Sequence, residues 1–230
     1  MNIRWTGLVL LLALGASCST TYQTRHAKTS GFLGDYSQLR KGEGEEPLLV
    51  YFNPEADVRD YDRILIDPVV GYLGEGSRLD RLSPKDRQAL LDYFHATLRE
   101  QLGRDYALAA RPGPGTLRLR IAVTDARRTK PVADTLSTVV PVGLAISALE
   151  RVALGKTLTT GSVRIEAEAL DAQTGVRLAA MVDERAGAKV TGRLDKWSKW
   201  QDARDAFDYW SARMRGTLRD FRARAEPNAP

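Results

Sequence analysis

Three stretches of alternating apolar and polar residues constrain the fold of this chain more than any other feature. The odd positions of 117–123 are Leu, Leu, Ile and Val, and the same alternation recurs over 163–169 and 176–182. A period of two predicts half-buried strands. The short segment Asp171–Gly175 has a glycine where a left-handed residue is needed, so it predicts a hairpin between the last two strands.

Two further segments have helical spacing. Ser83 is a good N-cap residue, Pro84 fits the first helical position, and Asp86 suits the first turn. The apolar stripe of this helix is Leu91, Phe94, Leu98 and Leu102. A longer helix carries the stripe Trp197, Trp200, Ala203, Phe207, Trp210, Met214, Leu218 and Phe221.

These elements predict an α+β fold. We expect a single domain over 31–225, with an antiparallel or mixed sheet of about four to five strands and helices packed on one face. Runs of β-forming residues at 48–51 and 63–69 supply the remaining strands. Between 30 and 39, four apolar residues at helical spacing predict one short turn of helix.

The N-terminus has the features of a secretory signal over residues 1–17. It combines a basic residue, Arg4, with an apolar run over 8–14 and small residues over 15–17. The run is too short for a transmembrane helix, which needs roughly 20 apolar residues. Residues 18–30 are polar without an apolar period, so we expect a flexible tether there.

The end of this signal resembles a bacterial lipoprotein signal through Ala16, Ser17 and Cys18, although Gly15 stands where leucine is most frequent. The resemblance implies cleavage between Ser17 and Cys18, a diacylglycerol thioether on Cys18, and acylation of the new amine. Three acyl chains would anchor the protein stably. Ser19 replaces the aspartate that commonly marks inner-membrane retention, which implies the periplasmic side of the outer membrane.

Composition argues against most catalytic and metal chemistry. With one cysteine in 230 residues, the chain cannot form an internal disulfide, a four-cysteine zinc site or an iron–sulfur cluster. It has two histidines, His26 and His95, too few for most histidine-based catalysis or metal binding. A net charge of +5 is too slight to indicate nucleic acid. The chain has no nucleophile elbow, phosphate loop or dinucleotide-binding glycine pattern. We expect no enzyme, cofactor, metal or nucleic-acid partner.

Glu166 and Glu168 are the strongest candidates for catalysis. They lie two residues apart on a strand and share a face, and paired carboxylates can hydrolyse glycosides. Arg164 and Arg177 are near in the hairpin, however, which favours ion pairs on the solvent side of the sheet. An envelope hydrolase is therefore the least favoured alternative.

Three side-chain groups have both a structural and a binding interpretation, and we favour the structural one for each. A helix core is favoured over an aromatic binding surface for Trp197, Trp200 and Trp210. Dipole compensation is favoured over lipid contact for Arg213, Arg215, Arg219, Arg222 and Arg224. A solvated face is favoured over an acidic envelope partner for Arg118, Arg120, Arg127, Arg128 and Lys130.

Residues 135–149 form an uncharged stretch with two equally favoured interpretations. One is a buried loop and helix that cover the sheet. The other is an exposed apolar patch for oligomerisation, a partner or the membrane surface. Its candidate contact residues are Val139, Val140, Val142, Leu144 and Ile146.

Several stretches, taken in order, resemble a family of candidate bacterial lipoproteins of unknown function. The first motif of the resemblance consists of Gly31, Phe32, Leu33, Tyr36 and Leu39. The later matches are Tyr61–Asp62, Ile64–Val69, Val140–Gly143, Glu166–Glu168, Asp171–Gly175 and Ala206–Trp210. The resemblance implies a periplasmic, lipid-anchored domain and supplies no catalytic residues.

These observations lead to two principal hypotheses of function. The first is a non-enzymatic outer-membrane lipoprotein that binds an envelope protein, associates with itself or supports an assembly. The second is a carrier or sensor of a small apolar ligand such as lipid, held between the sheet and the helices. The second hypothesis requires a sizeable apolar pocket.

Overall fold

The computed structural model describes residues 21–24, 28–127, 161–187 and 200–225. Its strands are β1 Thr21–Gln23, β2 Arg40–Lys41, β3 Leu49–Phe52, β4 Arg63–Ile66, β5 Val70–Gly71, β6 Ala107–Leu108, β7 Thr116–Arg127, β8 Ser162–Asp171 and β9 Arg177–Gly187. The α-helices in this part of the chain are α1 Pro84–Leu102 and α2 Gln201–Ala225. Predictions that fall outside these residues concern the signal segment with Ser17 and Cys18, His26, Arg128, Lys130, the whole of 135–149, and Trp197.

All nine strands belong to one mixed sheet with the order β2-β3-β9-β8-β7-β4-β6, while β1 also pairs with β9 and β5 with β7. Strands β7, β8 and β9 are antiparallel, and β4 and β5 run parallel to β7. The predicted α+β class is confirmed. The predicted count of four to five strands is wrong, because four of the nine strands have only two or three residues and show no periodicity in the sequence.

Both described helices pack on the same face of the sheet. Helix α1 begins where predicted, and the Ser83 hydroxyl accepts a hydrogen bond from the backbone N–H of Asp86 at 3.1 Å. Phe94 of α1 stacks on Phe207 of α2 with the ring centroids 4.3 Å apart. Trp210 lies buried in the same core, and so does Trp200, just before α2, which confirms the structural interpretation of these two tryptophans.

The segment 30–39, which we call the strap, covers part of the opposite face. Its predicted helical turn is wrong, because Gly31 and Gly34 have φ values of +101° and +72°, in the left-handed region that ends helices. The apolar side chains of the strap still pack together on the sheet. Leu33 is buried against Ala180 and Val182 of β9.

A β-bulge in β9 decides which side chains face the helices. Ala169 of β8 lies opposite Ala179, but the next residue of β8 lies opposite Arg177, so Leu178 is the extra residue. The bulge shifts the alternation by one residue. Consequently Ala180 and Val182 face the strap, while Asp183 faces α2.

The chain is already part of the sheet within the segment expected to be a tether. Thr21, Tyr22 and Gln23 pair antiparallel with Gly187, Ala186 and Arg185 of β9. The buried guanidinium of Arg185 donates hydrogen bonds to the hydroxyl and the carbonyl oxygen of Thr21. These three residues form a strand where a flexible tether was expected. Their own sequence has no strand pattern, so their order comes from pairing with β9.

Candidate functional site

An apolar cavity of about 320 Å³ lies between the sheet and helix α2. Its walls include Val50 of β3, Leu178 of β9 and Ile64 of β4, so it crosses the sheet beneath the helix. The α2 wall runs from Tyr209 to Phe221. This volume is at the small end of the range found for ligand sites, roughly 300–1,000 Å³.

The sequence leaves this space by placing small side chains where α2 crosses the sheet. Ala167, Ala169 and Ala179 line the floor, and an alanine side chain ends at Cβ. Met181 and Met214 line the walls, and methionine side chains adapt readily to irregular space. The second functional hypothesis required such a pocket, and the structure contains it.

Asp183 is the buried polar group of the cavity wall. Only 2% of the residue is exposed. Its Oδ2 accepts a hydrogen bond from the indole N–H of Trp210 at 2.7 Å, and its Oδ1 accepts one from the Gln23 side chain at 2.7 Å. The backbone N–H of Leu48 is 3.4 Å from Oδ1. Across the described ranges, no cation lies within ion-pair distance of this carboxylate.

Sequence reasoning did not single out Asp183 as a site residue. The even positions of 176–182 appeared to form the buried face, which put residue 183 on the solvent side. The bulge at Leu178 reverses that assignment. An aspartate directly after an apolar strand pattern was the one available signal, and it is too common to be specific.

Part of the cavity lining is charged. Glu45, Glu46, Arg213 and Asp220 all line it. Arg213 and Glu45 approach to 3.7 Å, at the surface. Hydrogen bonds from Arg40 lower the pKa of Glu46 to about 2, with help from the Glu43 backbone N–H. These charged lining residues are therefore engaged in ion pairs.

The predicted pair Glu166 and Glu168 does share a face of the sheet, but that face is buried beneath the strap. Glu166 is 0% exposed and accepts hydrogen bonds from the backbone N–H of Ser30 and the hydroxyl of Tyr36, both at 2.6 Å. Glu168 pairs with Arg120 and Arg177. The predicted ion pairing is correct for Glu168, whereas the predicted solvent exposure is wrong.

Arg177 connects this acidic pair to the strap. Its guanidinium is 2.9 Å from Glu168 and donates hydrogen bonds of 2.8 Å to the carbonyl oxygens of Leu33 and Asp35. Burial, followed by the bond to Glu166, raises the pKa of Tyr36. The acid groups thus help to hold the strap in place.

Most of the basic side chains singled out in the sequence have acidic or carbonyl partners within the domain. Arg118 pairs with Asp67 at 2.8 Å, and Arg215 pairs with Asp105 at 2.7 Å. Arg222 donates to the carbonyl oxygen of Tyr61. Arg127, at the end of β7, is exposed. These contacts support the structural interpretation of the basic residues.

The described residues contain neither a candidate metal cluster nor a candidate membrane-spanning helix. In these ranges, no three His, Cys, Asp or Glu side chains are grouped so as to hold a metal ion. Neither of the two α-helices given above combines the length and the apolar character needed to cross a membrane. His95 is half-buried on α1, and burial, followed by the nearby Arg99, lowers its pKa.

Comparison with known proteins gives one family match. A family model described as a protein of unknown function, DUF3313, matches residues 28–214. This agrees with the expected family of unknown function and leaves the implied lipidation untested. None of the curated proteins matches the chain.

Some solved structures are distantly similar. The PelC dodecamer from Paraburkholderia phytofirmans is 14% identical, with 74% of this chain and 94% of that chain covered and a TM-score of 0.39. A candidate lipoprotein from Caulobacter crescentus is 10% identical, with 75% and 96% covered and a TM-score of 0.33. A DUF330 protein from Xanthomonas campestris is 14% identical, with 76% and 94% covered and a TM-score of 0.38. Similarities of this extent give no information about function.

Proposed function

Because the chain belongs to the DUF3313 family of proteins of unknown function, its role must be argued from its own residues, and we propose that it binds a small apolar ligand. The ligand occupies the cavity between the sheet and α2, and the protein is a non-enzymatic, lipid-anchored component of the cell envelope. The observation that carries this proposal is the apolar cavity of about 320 Å³. Preformed apolar cavities with a few polar groups are the usual form of ligand sites.

The proposed anchor is the acylated Cys18, which attaches the domain to the periplasmic side of the outer membrane. Support comes from the signal pattern that ends at Cys18 and from strand β1, which begins three residues later. Three residues span at most about 10 Å. The domain and its cavity would therefore remain close to the bilayer, which is a source of apolar ligands.

Cell fractionation tests the anchor. The wild-type protein is expected in the outer-membrane fraction, with a mass for its N-terminal peptide that includes the acyl chains. The variant Cys18→Ala is expected to lose the anchor while retaining the fold, because residue 18 precedes the first described strand. An unmodified thiol on a secreted, freely soluble product would contradict lipid anchoring.

Native mass spectrometry tests the ligand. The chain 18–230 carrying Cys18→Ala is expected to retain a copurified apolar molecule, since its cavity is preformed. The further substitution Ala179→Leu fills part of the cavity floor and is expected to displace the ligand. The matched control is Ala96→Leu, at an exposed position of α1.

The outcomes of this experiment separate the alternatives. Loss of the bound mass in the Ala179→Leu variant but not in the Ala96→Leu variant supports the proposal. A clean apo mass for the parent protein, with no binding of added lipid, would refute it. Equal ligand occupancy in all three proteins would place the ligand outside the cavity and refute it as well.

Self-association is the second candidate function, and strand β5 favours it. Among the described strands β5 pairs only with β7, and the adjacent Leu73 is 56% exposed beside the exposed Val70 and Tyr72. An apolar strand edge can pair with a second copy of the chain. Light scattering tests this: the wild type is expected to be oligomeric and Leu73→Lys monomeric, while a monomeric wild type excludes it.

A further inference from the structure

The polar groups of the cavity indicate the chemical class of its ligand. This inference rests on the proposed function, in which an apolar molecule binds in the cavity. We infer that the ligand is an apolar amine. Its protonated amino group lies beside Asp183, and its apolar body extends along α2. Three observations carry this inference: the burial of Asp183, the charges around the cavity, and the shape of the apolar space.

Asp183 has an incompletely satisfied charge. A carboxylate can accept about four hydrogen bonds. Asp183 accepts two hydrogen bonds of 2.7 Å from the neutral side chains of Trp210 and Gln23. The backbone nitrogen of Leu48 is 3.4 Å from its Oδ1, beyond the usual range for a hydrogen bond. Burying a charge without an opposite charge is costly. A ligand that brings an ammonium group would supply the missing counter-charge.

The other carboxylates that line the cavity all have cationic partners. Glu45 lies 3.7 Å from Arg213, and Asp220 lies 4.0 Å from Arg219. Glu46 is paired with Arg40. Glu168 is also in contact with the cavity, but its carboxylate pairs with Arg120 and Arg177 on the strap side. Among the described lining residues, Asp183 is thus the carboxylate with no cation in ion-pair range, and its charge repels an anionic headgroup such as that of a fatty acid.

Arg185 is the nearest buried cation on the same face of β9, and it is engaged elsewhere. Its guanidinium lies over the ring of Tyr209, 3.6 Å from the centroid, and bonds to Thr21. It is two residues along the strand from Asp183 and does not line the cavity. Arg185 therefore orders β1 and leaves the Asp183 carboxylate available to a ligand.

The shape of the cavity fixes the direction of the ligand. Asp183 bonds to Trp210 near one end of the α2 wall, and Phe221 lies at the other end. These two α2 residues are separated by about 16 Å along the helix axis. The walls between them include Met214 and Leu218. A chain of about ten carbons with its amine at the Trp210 end matches this arrangement.

Calorimetric titration with three probes of equal chain length tests the inference. The protein is the chain 18–230 with Cys18→Ala, and the probes are decylamine, decanol and decanoate. Decylamine is expected to bind at least about tenfold more tightly than decanol, because a charge-assisted hydrogen bond is stronger than a neutral one. Decanoate is expected to bind most weakly.

Substitution of the carboxylate provides the direct control. The variant Asp183→Asn keeps the size of the side chain and is expected to reduce decylamine binding to the level of decanol, with decanol itself unchanged. If this variant unfolds, Arg213→Gln replaces it and is expected to raise the preference for decylamine over decanoate several-fold. Its matched control is Lys85→Gln, at an exposed position of α1 away from the cavity.

The outcomes distinguish this inference from the proposed function. Binding of decanol or decanoate at least as tightly as decylamine overturns the amine inference and leaves the apolar cavity as a ligand site. An unchanged preference for decylamine in Asp183→Asn overturns the role of Asp183. Failure of all three probes to bind overturns both the inference and the proposed function.

Discussion

At the residue scale, the buried carboxylates divide into two kinds according to their partners. Glu168 is compensated by two arginines, whereas Glu166 relies on the Ser30 backbone and the Tyr36 hydroxyl. If a buried carboxylate loses one hydrogen-bond donor, its charge is incompletely hydrogen-bonded. The resulting loss of folding free energy is larger than that from losing a solvent-exposed hydrogen bond. The stability of the strap should therefore depend strongly on a single hydroxyl group.

The variant Tyr36→Phe tests this dependence. It removes the hydroxyl that donates to Glu166 and accepts from the backbone N–H groups of Gly31 and Leu33, and we expect the free energy of unfolding to fall by about 1–3 kcal/mol. Hydrogen exchange in the strap should accelerate. Urea unfolding measures the first effect, and the control is Tyr51→Phe, which packs on the same cluster. Equal, small losses for both variants would contradict the special role of Tyr36.

At the scale of elements, the hairpin between β8 and β9 shows what local sequence can specify. Gly175 adopts φ +72°, as its position in the loop predicted. Asp171 accepts hydrogen bonds from the backbone N–H groups of Gln173 and Thr174, and the Tyr61 hydroxyl donates to it as well. These bonds, led by that from Thr174, hold the pKa of Asp171 below its ordinary value of 3.8.

This lowered pKa predicts a pH dependence of stability. Folding favours the ionised form of Asp171, so its contribution is fully present above about pH 4 and is lost as the pH falls through the folded-state pKa. The variant Asp171→Asn lacks this term. The difference in unfolding free energy between wild type and variant should be constant at neutral pH and narrow below pH 3.8. A difference that widens in acid would contradict this expectation.

The predictable and unpredictable elements differ in a physical way. Helix α1, the hairpin and the three long strands were predicted because capping residues and periodicity act within one segment. The short strands β1, β2, β5 and β6 are ordered by their partners, so their own sequences carry little signal. The β9 part of the cavity lining, Ala179 and Asp183, was unpredictable for a related reason: the bulge at Leu178 changes which face each later residue occupies.

At the scale of the whole molecule, the central sheet separates two layers of different chemistry. One face carries the aromatic core, α1, α2 and the cavity. The other carries the strap over a layer of acids and arginines. Because each face is filled by its own contacts, a change on one face should have little effect on the other.

A double-mutant cycle tests this independence. Tyr36→Phe acts on the strap face, and Ala179→Leu acts on the cavity floor. Their effects on unfolding free energy are expected to add within about 0.5 kcal/mol, as for sites without shared partners. Chemical denaturation of the two single variants and the double variant gives the coupling. A coupling well above that value would show that strap and cavity communicate through the sheet.

Strand β1 gives the N-terminus a mechanical connection to the cavity. The Gln23 side chain donates to both Asp183 and the carbonyl oxygen of Glu46, so one short strand touches the wall and the rim together. If Cys18 is acylated as proposed, a force from the bilayer reaches β1 at Thr21 and passes through Gln23 to the cavity wall. In a protein anchored in this way, movement of the N-terminal segment would be felt at the ligand site.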